Sequence, residues 1–128
     1  MIKLSEDADA KEIKDLALAI HHLVNKLPVA MRSKKKPGVR VEKGKIVDEN
    51  YEGYVLKLAI KTGKTIKATP IAGPYKGVPV IVVPIVKDGE VLGSIGVVDI
   101  TAGIFEEILA ISRRPELAKF LPEEAFPR

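Results

Sequence analysis

The stretch from Val78 to Ile100 constrains the fold more than any other part of the chain. Val78 to Lys87 and Glu90 to Ile100 are β-branched and apolar, and Asp88-Gly89 between them suits the positive φ angles of a two-residue hairpin turn. Counting outward from the turn pairs Lys87 with Glu90, Val86 with Val91 and Ile85 with Leu92. One face then carries Val78, Val80, Val82, Pro84 and Val86 with Val91, Gly93, Ile95, Val97 and Asp99. The other carries Pro79, Ile81, Val83 and Ile85 with Leu92, Ser94, Gly96, Val98 and Ile100. Both faces are apolar, so both need cover. Helices can cover one; the other calls for a further helix, a ligand or a second subunit.

Upstream, the spacing of Ile13, Leu16, Ala17, Ile20, Leu23, Val24 and Leu27 predicts one amphipathic helix from about Ser5 to Leu27, closed by Pro28. Arg32-Ser33-Lys34-Lys35-Lys36-Pro37-Gly38 has no apolar period and reads as a basic connection. Val39–Glu42 and Lys45–Asp48 form a hairpin around Lys43-Gly44. Asp48 is the expected N-cap of a second helix, Glu49 to Thr62, stopped by Gly63. Thr65 to Thr69 is a weak strand, and Pro70 to Gly77 a loop. A third helix is expected from Thr101 or Ala102 with Ile104, Phe105, Ile108, Leu109 and Ile111 inward, then a short turn over Glu116 to Leu121. The order α-β-β-α-β-β-β-α implies an α+β domain spanning residues 1–128, with a central antiparallel sheet of about five strands and flanking helices.

With 128 residues, 46% of them hydrophobic and 30% charged, the chain supports a real core. It has no cysteine, which excludes disulfides, thiolate catalysis and thiolate-held zinc. The first residues turn acidic where a signal peptide needs an apolar run, and the longest apolar stretch is too short to cross a bilayer. A cytoplasmic protein with no membrane association is expected. The absence of Gln and Trp, with abundant Lys, Glu, Ile and Val, leans thermophilic.

The charge of +4 is uneven. Residues 1–30 carry four basic and five acidic side chains, residues 31–67 eleven and four, and residues 68–128 six and eight. A nucleic-acid or anion surface would use Arg32, Lys34, Lys35, Lys36 and Arg40. No aromatic side chains are interleaved with them, and a basic loop is usually just solvated.

Few residues offer chemistry. His21 and His22 are adjacent on a helix, one beside the apolar stripe and one outward, so they do not share a metal. Gly63-Lys64-Thr65 lacks the upstream glycine of a phosphate loop, since residue 58 is Leu, and it follows a helix where such a loop opens one. Small residues in the long hairpin (Gly93, Ser94, Gly96) mark close approach of a ligand or of a helix. Thr69, Tyr75, Ser94 and Gly96 are the candidate lining of a ligand pocket, with Asp99 either orienting the ligand or capping the next helix. No nucleophile–base pair, carboxylate pair or metal cluster stands out, so neither an enzyme nor a cofactor is expected.

Thr62-Gly63-Lys64-Thr65-Ile66, then Gly77-Val78-Pro79-Val80-Ile81-Val82-Val83-Pro84-Ile85, then Asp88 through Asp99 resemble the C-terminal half of a GAF- or PAS-like domain over residues 58–100. The element order is likewise similar to profilin-like folds, which include roadblock-type scaffolds. An uncharacterised archaeal family with this fold is the expected home of the chain. The resemblance implies small-molecule sensing, homodimerisation or both. With no cysteine to hold a bilin and no haem-ligand pattern, it implies a ligand of another kind. The alternatives are a homodimeric scaffold and a nucleic-acid-associated protein using residues 32–45.

Overall fold

A computed structural model describes residues 2–99. The chain divides into two units, Met1–Val98 and Asp99–Arg128, and the expected third helix and final turn lie outside the described residues.

The first helix, α1, runs Ala10–Leu23, later than the expected Ser5. Asp9 sets its start. The Asp9 carboxylate accepts the Glu12 N–H at 3.0 Å, and the Glu12 carboxylate accepts the Asp9 N–H at 3.2 Å, so both donors are satisfied reciprocally. Its buried face is Ala10, Ile13, Ala17 and His21, while Leu23, expected inward, is 82% exposed. His21 takes the place at the end of the stripe. Its Nδ1 lies 2.6 Å from the Leu27 carbonyl, and its Nε2 accepts the Gly44 N–H at 2.9 Å. The ring therefore ties the end of α1 to the turn of the next hairpin. After α1, Asn25 and Lys26 adopt positive φ and turn the chain into Pro28.

Strand β1, Val29–Ser33, was expected to be loop from Arg32 onward, and all five of its residues are buried. It is followed by β2 (Gly38–Glu42) and β3 (Lys45–Tyr51), joined as expected by Lys43-Gly44 with both φ positive. β3 outruns its expected end, and Asp48 sits within it, 3.7 Å from Arg40 Nε, instead of capping a helix. The second helix, α2, is correspondingly shorter, Tyr54–Thr62. Gly53 before it and Gly63 after it are both left-handed. β4 (Ile66–Ala68), β5 (Val80–Lys87) and β6 (Glu90–Val98) complete the unit.

The six strands form one antiparallel sheet in the order β3-β2-β1-β6-β5-β4. The expected antiparallel sheet with flanking helices is present, with one strand more than anticipated. Val86 pairs with Val91 as counted, but Ile85 then pairs with Gly93. Leu92 is thus an extra residue, a bulge that shifts the rest of the register by one. Val80, Val82 and Pro84 lie opposite Val98, Gly96 and Ser94, not in the company first assigned.

The alternation along β1 divides the core. Met31 joins Ile13, Ala17, Val39 and Val41 under α1, with Ile85 and Ile95 packed against them. Its neighbour Ala30 joins Val55, Leu56, Ala59, Val80 and Val82 under α2. Each helix therefore covers one face, α1 over β1–β3 and α2 mainly over β4–β6.

β1 passes between two glycines. A Cβ on Gly38 would collide with the Met31 carbonyl oxygen and lie 2.6 Å from Arg32 Cβ. One on Gly93 would collide with the Arg32 carbonyl oxygen and lie 3.0 Å from Ser33 Cα. Because the obstacles are backbone, they cannot rotate aside. Gly93→Ala is expected to destabilise the protein by about 2 kcal/mol, read in urea unfolding as a lower midpoint with unchanged slope.

Candidate functional site

A cavity of about 270 Å³ opens beside α2. Its floor is Ala30, Val80, Val82, Gly96 and Val98 from the sheet. The end of β3 and the first turn of α2, Tyr51 through Leu56, form one wall, and Pro70, Ala72, Gly73, Pro74 and Tyr75 of the loop form the other. The lining is almost entirely carbon. All three tyrosines of the chain, Tyr51, Tyr54 and Tyr75, stand around this one cavity.

Two hydrogen bonds fix the loop. The Gly77 N–H donates to the Pro70 carbonyl at 2.9 Å and closes its neck, and the Ile71 N–H donates to the Tyr54 hydroxyl at 3.0 Å, tying it to α2. Tyr54, in the lining, is 49% exposed, and Ile71 beside the cavity is 85% exposed. On the sheet side, the Ser94 hydroxyl is buried and donates to the Leu56 carbonyl at 2.8 Å, pinning α2 over β6. Gly96 leaves room at the floor, where an added Cβ would lie 2.8 Å from Val82 Cγ2.

The aromatic wall is held from behind by Arg40. Tyr51 and Tyr75 meet edge to face, with centroids 6.4 Å apart and planes at 86°. The Arg40 guanidinium carbon lies 5.6 Å from the Tyr51 centroid and 5.9 Å from that of Tyr75, within cation–π range of both. Glu42 at 3.5 Å and Asp48 at 3.7 Å balance its charge. Burial pushes the Tyr75 phenol well above the usual tyrosine range, the Glu42 carboxylate adds to the rise, and Arg40 opposes it. Burial likewise raises the Tyr51 phenol, again against Arg40.

Glu52 is the one carboxylate in the lining, and two cations already hold it. Lys57 Nζ lies 2.7 Å away and Arg32 Nη1 3.2 Å away, and together they keep the carboxyl below its ordinary range. Arg32 itself is 5% exposed. Its guanidinium donates to the carbonyls of Ser33 and Glu52 at 2.9 and 2.7 Å, so it is spent within the protein.

The residues expected from the sequence thus meet different fates. Tyr75 and Gly96 line the cavity. Ser94 lies beneath it as a fastener of α2, Thr69 is exposed outside it, and Asp99 is half-buried just past β6 and does not line it. Of the basic candidates, Arg32 and Arg40 point inward to protein partners. Lys35 pairs with Glu6 at 2.8 Å, and Lys34 and Lys36 are exposed. Of the five, Lys34, Lys35 and Lys36 are the ones that face outward. Tyr51, Glu52 and Tyr54 were missed as site residues. The signal available for them was aromatic scarcity, since the chain has only three tyrosines and no tryptophan. Among the described residues, no three His, Asp or Glu side chains gather as a metal site, and no helix is long and apolar enough to cross a membrane.

A family model described as "Uncharacterized protein conserved in archaea (DUF2111)" matches residues 20–101, which take in β1 to β6, α2 and the cavity. The chain belongs to this family. It is also similar to "Uncharacterized protein MJ0405" of Methanocaldococcus jannaschii, with 71% identity over 129 residues covering 100% of this chain and 98% of the relative. The archaeal placement expected from the sequence is therefore met.

The buried Tyr75 phenol gives the site a pH signature. A group whose ionisation is raised on folding contributes stability that is complete below its unfolded value, here near 10.0, and is lost as pH rises through the folded value. Thermal melts from neutral to strongly alkaline pH should show a falling midpoint, and Tyr75→Phe should flatten that fall.

Proposed function

We propose that this chain is a small-molecule-binding domain without catalytic activity, whose ligand occupies the cavity between α2, the Pro70–Gly77 loop and the sheet. The observation that carries the reading is the gathering of all three tyrosines around one carbon-lined cavity on a preformed scaffold. Such sites combine apolar walls with a few placed polar groups, and here those are the Tyr54 hydroxyl at the rim and the paired Glu52. The likeness of residues 58–100 to GAF and PAS domains points the same way, because those domains sense small molecules.

Native mass spectrometry of the purified protein tests the reading. The expected result is a bound species on the order of a hundred daltons or more above the chain mass, in keeping with the size of the cavity. Ala72→Trp, which places an indole into the opening from an exposed loop position, should abolish the added mass while leaving the melting temperature within about 2 °C. Retention of the added mass in that variant would remove the cavity from consideration.

A homodimeric scaffold is the second reading, favoured by the exposed apolar side chains Val83 and Val86 on β5. Among the described residues, β4 pairs with β5 only from Val80 to Val82, which leaves that edge of β5 open beyond. The same spectra decide it, since a dimer without added mass supports the scaffold and a monomer removes it.

A further inference from the structure

We infer that the cavity selects an uncharged, flat, two-ring aromatic molecule. This inference rests on the cavity being a ligand site, and it adds size, charge and shape.

Size comes first. An apolar cavity of about 150 Å³ is enough to take up benzene. The cavity here, about 270 Å³ and open to solvent on one side, encloses space for a second fused ring, and a larger ligand would project from it.

Charge comes next. An anion would find the two cations beside Glu52, Lys57 and Arg32, already paired with that carboxylate. A cation would find that carboxylate already engaged at 2.7 and 3.2 Å by two cations of the protein, one of them buried. Either charge would be stripped of water against carbon walls, where the buried Tyr75 hydroxyl, the lining side-chain atom left without a hydrogen-bond partner, carries no charge to neutralise it; burying an unpaired charge is strongly unfavourable.

Shape follows from the tyrosine pair. Tyr51 and Tyr75 both line the cavity, and their planes are 86° apart. A flat ring lying parallel to one is nearly perpendicular to the other, so offset stacking on one ring and edge contact with the other are available together. Those are the two favourable aromatic geometries, and each adds attraction that a saturated ring of equal volume lacks. Arg40 behind both rings fixes them in place before any ligand arrives.

Three probes separate these features: indole, indole-3-acetate with the same rings and a negative charge, and 2-decalol, a saturated two-ring alcohol. Each is titrated into the full-length protein and followed through the methyl resonances of Val80 and Val82 at the cavity floor. Indole should bind saturably with ring-current shifts at both valines. Indole-3-acetate should bind about tenfold or more weakly, reflecting charge burial, and 2-decalol about fivefold more weakly, for want of aromatic contacts. Ala72→Trp should abolish the indole shifts. Equal affinity for 2-decalol overturns the aromatic requirement, equal or tighter binding of indole-3-acetate overturns neutrality, and absence of any saturable indole shift overturns the inference as a whole. The broader reading is judged separately. If a co-purified mass disappears in Ala72→Trp while indole fails to bind, the cavity stands as a ligand site and the two-ring class falls. If Ala72→Trp leaves the added mass and the indole shifts unaltered, both fall.

Discussion

Everything in the described unit hangs on the antiparallel seam between β1 and β6. The sheet consists of two three-stranded halves, β3-β2-β1 and β6-β5-β4, and the register from Val29 opposite Val97 to Ser33 opposite Gly93 joins them. The seam is crowded at one place. Gly38 from one side and Gly93 from the other press on the backbone around Arg32 so closely that neither has space for a side chain. With the backbone so confined, the long side chain of Arg32 is drawn into the interior and its donors are satisfied by carbonyls of Ser33 and Glu52. The same contact fixes the chain where β3 gives way to α2, which is one wall of the cavity. Packing of the seam and placement of the site are thus a single constraint.

The concentration of positive charge in the middle of the chain finds much of its explanation inside the protein. Arg32 secures the approach to α2, and Arg40 braces two tyrosine rings against Glu42 and Asp48. Arginine suits both posts, because its planar guanidinium can donate in several directions and lie against aromatic faces while remaining charged. A lysine in either place would have one point of charge to offer.

The long hairpin, its Asp88-Gly89 turn, the Lys43-Gly44 turn, the Gly63 stop and the loop at Pro70–Gly77 were legible because each depends on local chemistry: alternation, positive φ, a missing N–H. What escaped depends on tertiary contacts. β1 was hidden because Arg32 and Ser33 look like solvent residues, and nothing local announces that two neighbouring strands will enclose them. The bulge at Leu92 was invisible for the same reason: it depends on a tertiary contact just past β1, where the Lys34 N–H donates to the Leu92 carbonyl at 2.8 Å. That single shift regrouped the hairpin faces and put Ser94 and Gly96 opposite Pro84 and Val82. Asp48 carried a good capping signal, but Gly53, with its left-handed backbone, starts the helix later. The site itself was half legible. Tyr75 and Gly96 were found from a loop and a small residue in a strand, whereas Tyr51 fell within the expected Glu49–Thr62 helix and is instead the last residue of β3.

The seam also has a temporal side. The hairpins β2–β3 and β5–β6 close through turns of two residues, whereas Ser33 and Gly93 must find each other across a loop of about sixty residues, an entropic toll that local hairpins never meet. The cavity takes its floor from both sides of that seam, Ala30 on one and Gly96 on the other. Neither half of the sheet contains a binding site in miniature. The hollow exists only once that long-range contact has been made, so anything that filled it would stabilise the joined sheet and neither half alone.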